Sequence, residues 1–287
     1  MKTFLALLYT LVLFSHTALS GHSRGSSEPY ISGDTFRAHA NFVFDEKLRT
    51  FKPLKVRDGD LVFVKGDFLR KFFQKIHPLI KAKYKLITHN SDESAPGPFA
   101  NYLDDPHILA WYGQNVDGYS HPKLHPIPIG IANREWAHGN IHTIADMQSL
   151  VPSIEKSHLL YMNFTIATKK DERSYVHNLF KDQPYCTISG NKPYKDYLKD
   201  LAESKFVLSP RGNGLDCHRT WECLLMDAIP IVLTSPLDPL FANLPVLIIQ
   251  DWNEITEEFL IQKWKEMQTN EYIMQKAYAD YWLNMMH

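Results

Sequence analysis

The chain has 287 residues, of which 44% are hydrophobic, 13% aromatic and 22% charged, a globular composition that excludes collagen-like, coiled-coil and disordered classes. Its 31 Lys plus Arg and 32 Asp plus Glu give a formal charge of -1, so charge calls for no strongly acidic or basic partner and argues against nucleic acid. The length suits one large domain or two moderate ones, and three cysteines (Cys186, Cys217 and Cys223) are too few for a disulfide scaffold.

Residues 1–20 read as a secretory signal. Lys2 precedes an apolar run at 4–14 broken only by Tyr9 and Thr10, and Ala18 with Ser20 forms a small-residue cleavage pattern. The run is short for a membrane span; an uncleaved anchor is the alternative, and the only one that brings membrane contact. Either reading exports the chain, to the ER or Golgi lumen, outside the cell, or to a bacterial periplasm. Cleavage removes Lys2 and takes the net charge to -2. Residues 21–29, polar and rich in Gly and Ser, read as a flexible leader.

From residue 30, β-type runs at 61–64, 85–88 and 124–131 alternate with helical patterns at 68–76 and 108–115. Residues 132–155 hold no strand-like run and read as a link. A second alternating set follows: strand 158–162, helix 169–180, strand 185–188, helix 194–202, strand 205–209, helix 216–227, strands 229–234 and 246–250, and terminal helices from Glu254 and Asn270. Alternation of this kind implies parallel sheets. The expected fold is therefore α/β with two Rossmann-like domains, 30–150 and 151–287, facing a cleft where ligands bind.

The stretch 205–230, KFVLSPRGNGLDCHRTWECLLMDAIP, carries the most chemistry. A strand ends at Ser209 and runs through Arg211, Gly212, Asn213 and Gly214 into a helix. Glycines there let backbone approach a ligand, and the helix start favours a phosphate. Trp221, Leu224, Leu225 and Ala228 form a core-facing stripe, which leaves Arg219 and Glu222 roughly 100° to 160° away, free to face a cleft. A carboxylate at that place suits ribose hydroxyls. The alternative is a plain glycine turn followed by a surface ion pair between Arg219 and Glu222. Known fingerprints do not decide: Cys217 stands where GxGxxG needs its third glycine, and GxxxxGK, HExxH and GxSxG are absent.

The run SPRGNGLDCHRTWECLLMDAIPIVLTSPLDPLFANLPVLIIQDW resembles the carboxy-terminal signature of exostosin-like glycosyltransferases, and KLITHNSDESAP, DDPHILAWYGQNVD and HPKLHPIPIGIANREW resemble the acceptor half of short relatives. The resemblance implies a GT-B architecture and transfer of a sugar from a nucleotide-sugar donor, foremost a UDP-sugar, to a hydroxyl of a glycan or glycoconjugate acceptor. It implies an inverting reaction; the dipole of the helix after Gly214 and two arginines can neutralise the leaving diphosphate, so no metal or other cofactor is expected. Arg211, Arg219 and Glu222 then correspond to donor-binding positions, beside Ser209, Gly212, Asn213 and Gly214. Asn163 and Arg173, after the strand at 158–162, join that set; Asn163 also heads an NFT sequon, which gives a glycosylated surface loop as its other reading. The acceptor hydroxyl needs a base, and His89 or Asp92 in the polar run after the strand at 85–88 has the chemistry; the other reading is a loop that satisfies its own backbone. A carbohydrate-binding protein without turnover and a nucleotide-sugar epimerase are the competing functions. No metal site is expected: Asp58 and Asp60 read as a turn, and His121, His125, His138 and His142 as surface or structural residues.

Overall fold

The computed structural model describes residues 25–287, so the signal assigned to 1–20 lies outside the described residues. In the first half, α1 (Gly33–His39) and β1 (Phe42–Phe44) lead to β2 (Leu61–Lys65), α2 (Leu69–Lys75), β3 (Tyr84–His89), β4 (Ile108–Gly113) and β5 (Leu124–Pro126). These five strands pair in parallel in the order β1-β2-β3-β4-β5. After α3 (Ile141–Leu150) the chain builds β6 (His158–Met162), α4 (Lys170–Phe180), β7 (Cys186–Ile188), α5 (Tyr194–Ala202), β8 (Ser204–Leu208), α6 (His218–Leu225), β9 (Ile229–Leu233), α7 (Asp238–Phe241) and β10 (Leu247–Ile249). This second sheet is also parallel, in the order β10-β9-β8-β6-β7. Two parallel α/β sheets are the expected fold class. Among the described residues no helix is long and apolar enough to cross a membrane.

The strands are buried on both faces, as parallel strands under helical layers must be. Val62, Phe63 and Val64 of β2 and Phe206, Val207 and Leu208 of β8 are fully inaccessible. The same property explains the one element of the wrong type: residues 108–115, expected as a helix, form β4. Ile108, Ala110, Trp111 and Tyr112 are all buried, and an apolar run this short has no periodicity to separate strand from helix. Trp111 fixes the pairing by donating its indole N–H to Thr88 Oγ1 on β3 at 2.8 Å.

Three other differences have local causes. The run at 124–131 is strand only to Pro126, because Pro126 and Pro128 lack the N–H that a ladder needs. The link at 132–155 has no strand but contains α3, whose N-cap Asn140 accepts from the amides of His142 and Thr143. The terminal helices start later than expected, as α8 (Glu257–Met267) and α9 (Ala279–Asn284); Thr256 caps the first by accepting from the Phe259 amide. α1 and β1 had no counterpart in the sequence reading. Within the expected leader, Ser27 is buried and its amide donates to Thr35 Oγ1 at 3.2 Å, while the Pro29 carbonyl accepts from the Ala279 amide at 3.0 Å.

That last bond belongs to a return of the chain. Trp282, Leu283 and Met286 pack into the same cluster as β2, β3 and β4, and Tyr112 donates to the Met285 carbonyl at 3.0 Å. Trp282 is buried and its indole N–H donates to the Lys276 carbonyl at 2.8 Å. Trp282→Ala should therefore cost about 3–5 kcal/mol, read as a lower urea midpoint with an unchanged m-value. A loss under ~1 kcal/mol would mean that the carboxy-terminal segment contributes little to the first core.

Candidate functional site

The order of the second sheet locates a crevice before any side chain is considered. From β6 the chain steps one way to β7, then crosses back to lay β8, β9 and β10 on the other side. Adjacent β6 and β8 thus receive connections that leave in opposite directions, and the gap beyond their carboxyl ends is where open α/β sheets bind ligands. Asn163 and Phe164 follow β6, and Ser209, Pro210 and Arg211 follow β8.

Three arginines gather there. The buried Arg173 of α4 donates to the carbonyls of Thr165 (2.8 Å), Arg211 (2.9 Å) and Pro210 (3.4 Å), so its guanidinium holds the backbone on both sides of the crevice. Arg219 donates from Nε to the Asn163 carbonyl at 3.0 Å, and its Nη1 is buried without a partner. Arg211 donates from Nη2 to the Asn213 carbonyl at 3.1 Å, and its Nε is likewise buried and unpartnered. The Phe164 ring lies 5.7 Å from the Arg173 guanidinium and 5.6 Å from that of Arg219. Among the described residues none of the three forms a salt bridge. Burial and the charge of Arg219 push the Arg173 pKa down. The Asn163 side-chain nitrogen, where a glycan would attach, donates instead to Tyr161 Oη, Ser189 Oγ and the Gly190 carbonyl.

The loop and α6 sit differently from a simple glycine turn. Ser209 is buried, with Oγ 2.9 Å from Thr220 Oγ1. Gly212 is buried against Arg173, and Gly214 packs so closely that an added Cβ would lie 2.5 Å from Asn115 Nδ2. Exposed Asn213 donates to Asp92 Oδ2 at 3.1 Å, across to the first half. The helix starts at His218, two residues later than expected. Asp216 is buried instead of opening it, accepting from the amides of Cys217 (2.9 Å) and Ile129 (2.8 Å) and from the Trp221 indole (2.8 Å). Burial pushes the Asp216 carboxyl up to about 6, against those hydrogen bonds.

Glu222 is only 5% exposed. Its two oxygens accept from Tyr194 Oη at 3.1 Å and Tyr197 Oη at 3.0 Å. Burial raises its pKa, while hydrogen bonds from Tyr197 and Tyr194 and the charge of Arg219 pull it down. The carboxylate is thus nearly buried and held by two tyrosines, not a surface partner of Arg219. Sequence reasoning missed the tyrosine pair, although their i, i+3 spacing on α5 was a usable signal.

The first half contributes a cleft of about 460 Å³ at the carboxyl ends of its strands, lined by Lys65, Asp67, His89, Asp92, Gln114, Trp136, His138 and His218 among others. His89 is buried; its Nδ1 accepts from the Asn90 amide at 2.8 Å and its Nε2 lies 3.1 Å from the Pro128 carbonyl. Both ring nitrogens are therefore engaged, and burial holds its pKa down to about 4. Asp92 is exposed at the cleft mouth. A second cavity of about 430 Å³ between α4 and α8, lined by Leu179, Tyr185 and Trp252, holds none of these groups.

Asp58 accepts from the Lys83 amide and Asp60 from the Arg57 amide, which makes the pair a turn. Among the described residues no group of three or more His, Cys, Asp or Glu side chains could hold a metal ion.

No protein-family model matches the chain, and no curated protein matches it. Among solved structures it is similar to TarM, at 12% identity and a TM-score of 0.41, over 80% of this chain and 55% of that one. It is similar to a Methanocaldococcus jannaschii UDP-GlcNAc 2-epimerase in complex with UDP-GlcNAc and UDP, at 11% identity and a TM-score of 0.37, over 76% and 70% of the two chains. A variant of S. aureus TarM in complex with fondaparinux, α-GlcNAc-glycerol and UDP is similar at 11% identity and a TM-score of 0.38, over 80% and 56%. The chain thus spans little more than half the length of TarM.

Because the Asp216 pKa rises from 3.8 to about 6 on folding, the folded state binds the proton more tightly than the unfolded one. Its contribution to stability is then full below about pH 4 and is lost as pH climbs through 6. Urea midpoints of wild type and Asp216→Asn between pH 4 and 7 should show this fall as a difference between the two proteins. Parallel curves would place the ionised carboxylate in a more polar setting.

Proposed function

We propose that the protein is a glycosyltransferase of the exostosin-like type, moving a sugar from a UDP-sugar to a hydroxyl of a glycan or glycoconjugate. The observation that carries this is the pair of buried, unpartnered guanidinium nitrogens on Arg211 and Arg219 beside the β6–β8 crevice. Leaving a buried charged donor unmet costs about 1–3 kcal/mol or more, and a diphosphate in the crevice would remove that cost. Arg37 also has buried, unpartnered nitrogens, but it forms a salt bridge with Asp45 at 2.6 Å; among the described residues Arg211 and Arg219 form no salt bridge, and the charges of Glu172 and Glu222 act on them only from further away.

In this reading the 151–287 half holds the donor. The diphosphate rests on the 211–214 loop against Arg211 and Arg219, with Arg173 fixing the loop from behind. Glu222, oriented by Tyr194 and Tyr197, takes the ribose hydroxyls; Asn163 and Ser209 shape the crevice floor. The acceptor enters the 30–150 half through the cleft that carries Asp92 and His89. As the bond to the anomeric carbon breaks, negative charge grows on the departing diphosphate, and two fixed guanidinium groups in a partly dry site stabilise it without a divalent cation.

The test is a thermal-shift panel with UDP, GDP, ADP and CMP, each with and without EDTA. A ligand at 100 times its Kd adds about 2.7 kcal/mol of stability, so UDP should raise the melting temperature equally in both conditions. No response to any nucleotide would sink the reading, and a shift that needs manganese would sink its metal-free form.

Glu222→Gln should keep the fold, since Gln still accepts from one tyrosine and donates to the other. It should weaken UDP binding roughly ten- to a hundredfold through loss of a charged partner worth about 1.5–3 kcal/mol. Calorimetric titration with UDP, together with the melting temperature, decides it: normal binding with an earlier melt would make Glu222 a structural carboxylate.

A further inference from the structure

We propose that His218, through Nε2, is the general base that takes the proton from the acceptor hydroxyl. The proposal rests on the glycosyl-transfer reading above. His218 opens α6 one residue before Arg219, so it reaches the acceptor cleft from the element that carries the donor-side cation. Its Nδ1 lies 2.7 Å from the Gly130 carbonyl oxygen. A carbonyl only accepts, so the proton sits on Nδ1 and the lone pair on Nε2. Among the described residues no hydrogen bond engages Nε2, in contrast to His89, whose Nδ1 accepts from Asn90 and whose Nε2 faces Pro128.

The carbonyl that sets this tautomer is itself fixed. Gly130 has φ +66°, and a Cβ there would lie 2.1 Å from the Ile31 carbonyl oxygen. An imidazole held by a backbone carbonyl through one nitrogen, with the other facing a cleft, is the arrangement a general base requires.

The charged and titratable groups facing His218 are Asp92 and His89 from the first half, His138 from the link and Arg219 on its own helix. Burial pushes the His218 pKa below 6.5; His138 and Arg219 add to that, and Asp92 opposes them. The ring is therefore neutral at neutral pH, and Asp92 stabilises the positive charge that it gains. In the step, the hydroxyl proton passes to Nε2 while the oxygen's electron pair forms the bond to the anomeric carbon. The bond from that carbon to the diphosphate oxygen breaks, and its electron pair leaves with the nucleoside diphosphate against Arg211 and Arg219. The imidazolium then releases its proton to water in the cleft.

The test uses His218→Asn, because the Asn amide can still donate to the Gly130 carbonyl but has no basic lone pair. His218→Ala serves as the second variant. UDP release is measured from UDP-glucose, UDP-galactose and UDP-N-acetylglucosamine, with methyl glycosides of the same sugars as acceptors, from pH 4.5 to 8.5. A positioned base contributes about 10²- to 10⁴-fold, so turnover should fall by that factor in both variants while the UDP-induced thermal shift stays. Wild-type kcat/KM should fall below a pKa under 6.5, and the residual rate of His218→Asn should lose that acid limb. Turnover within a few-fold of wild type, a retained limb, or UDP binding lost in step with turnover would overturn the role of His218 while leaving glycosyl transfer standing. A wild-type protein that binds no UDP and releases none would overturn both.

Discussion

The carboxylate of Asp216 is buried, and its hydrogen-bond donors come from both halves of the molecule: the Ile129 amide from the first, the Cys217 amide and the Trp221 indole from the second. Its own amide donates to Asn115 Oδ1 at 3.0 Å, again in the first half. A buried carboxylate is tolerated only when its lone pairs are met. The segment after β4, the turn after β5 and the start of α6 must therefore keep one relative position, because any shift leaves a carboxylate or an indole N–H unpaired. The 211–214 loop closes over this point, with Gly214 packed on Asn115 and Asn213 bonded to Asp92.

That constraint explains why α6 is buried nearly all round, although its sequence shows a single apolar stripe. Trp221 and Leu224 pack into the cluster of the first sheet, whereas Cys223, Leu225 and Met226 pack with α3 and α5. A helix shared by two clusters has no free polar face. Its polar residues must then be satisfied inside the protein: Glu222 by two tyrosines, Thr220 by Ser209, and Arg219 in part by the Asn163 carbonyl. Among the described residues of α6, the Nη1 of Arg219 is a buried atom that these bonds leave without a hydrogen-bond partner.

The parallel sheets were legible because buried strands such as LVFV and FVL are continuous apolar runs, and because the helices between them keep their spacing. Where the run was as short as ILAWYG, pattern alone could not separate strand from helix, and pairing with β3 and β5 decided it. The loop Arg211–Gly214 and the helix residues Arg219 and Glu222 were legible as a local unit. Their partners were not, since Tyr194, Asn115 and Asp92 lie 28, 101 and 121 residues from the groups that they meet. His89 and His218 show the same limit: each ring meets a carbonyl distant in the sequence, Pro128 or Gly130, and it is the Asn90 amide on Nδ1 that leaves His89 engaged on both nitrogens and His218 on one.

The pin and the proposed base share one short turn. Ile129 gives its amide to Asp216, and the next residue, Gly130, offers its carbonyl to His218. Asp216 and His218 are in turn two positions apart, so two hydrogen bonds tie the entry to α6 to two consecutive residues of the first half. The stretch that joins the halves thereby fixes which nitrogen of His218 carries the proton. Changes that loosen Asp216 would shift the Gly130 carbonyl and release the tautomer, and a misplacement of about 1 Å at a reacting group can cost about 10²-fold in rate. In this molecule the turn that meets the buried Asp216 carboxylate is also the turn that orients the cleft's open imidazole.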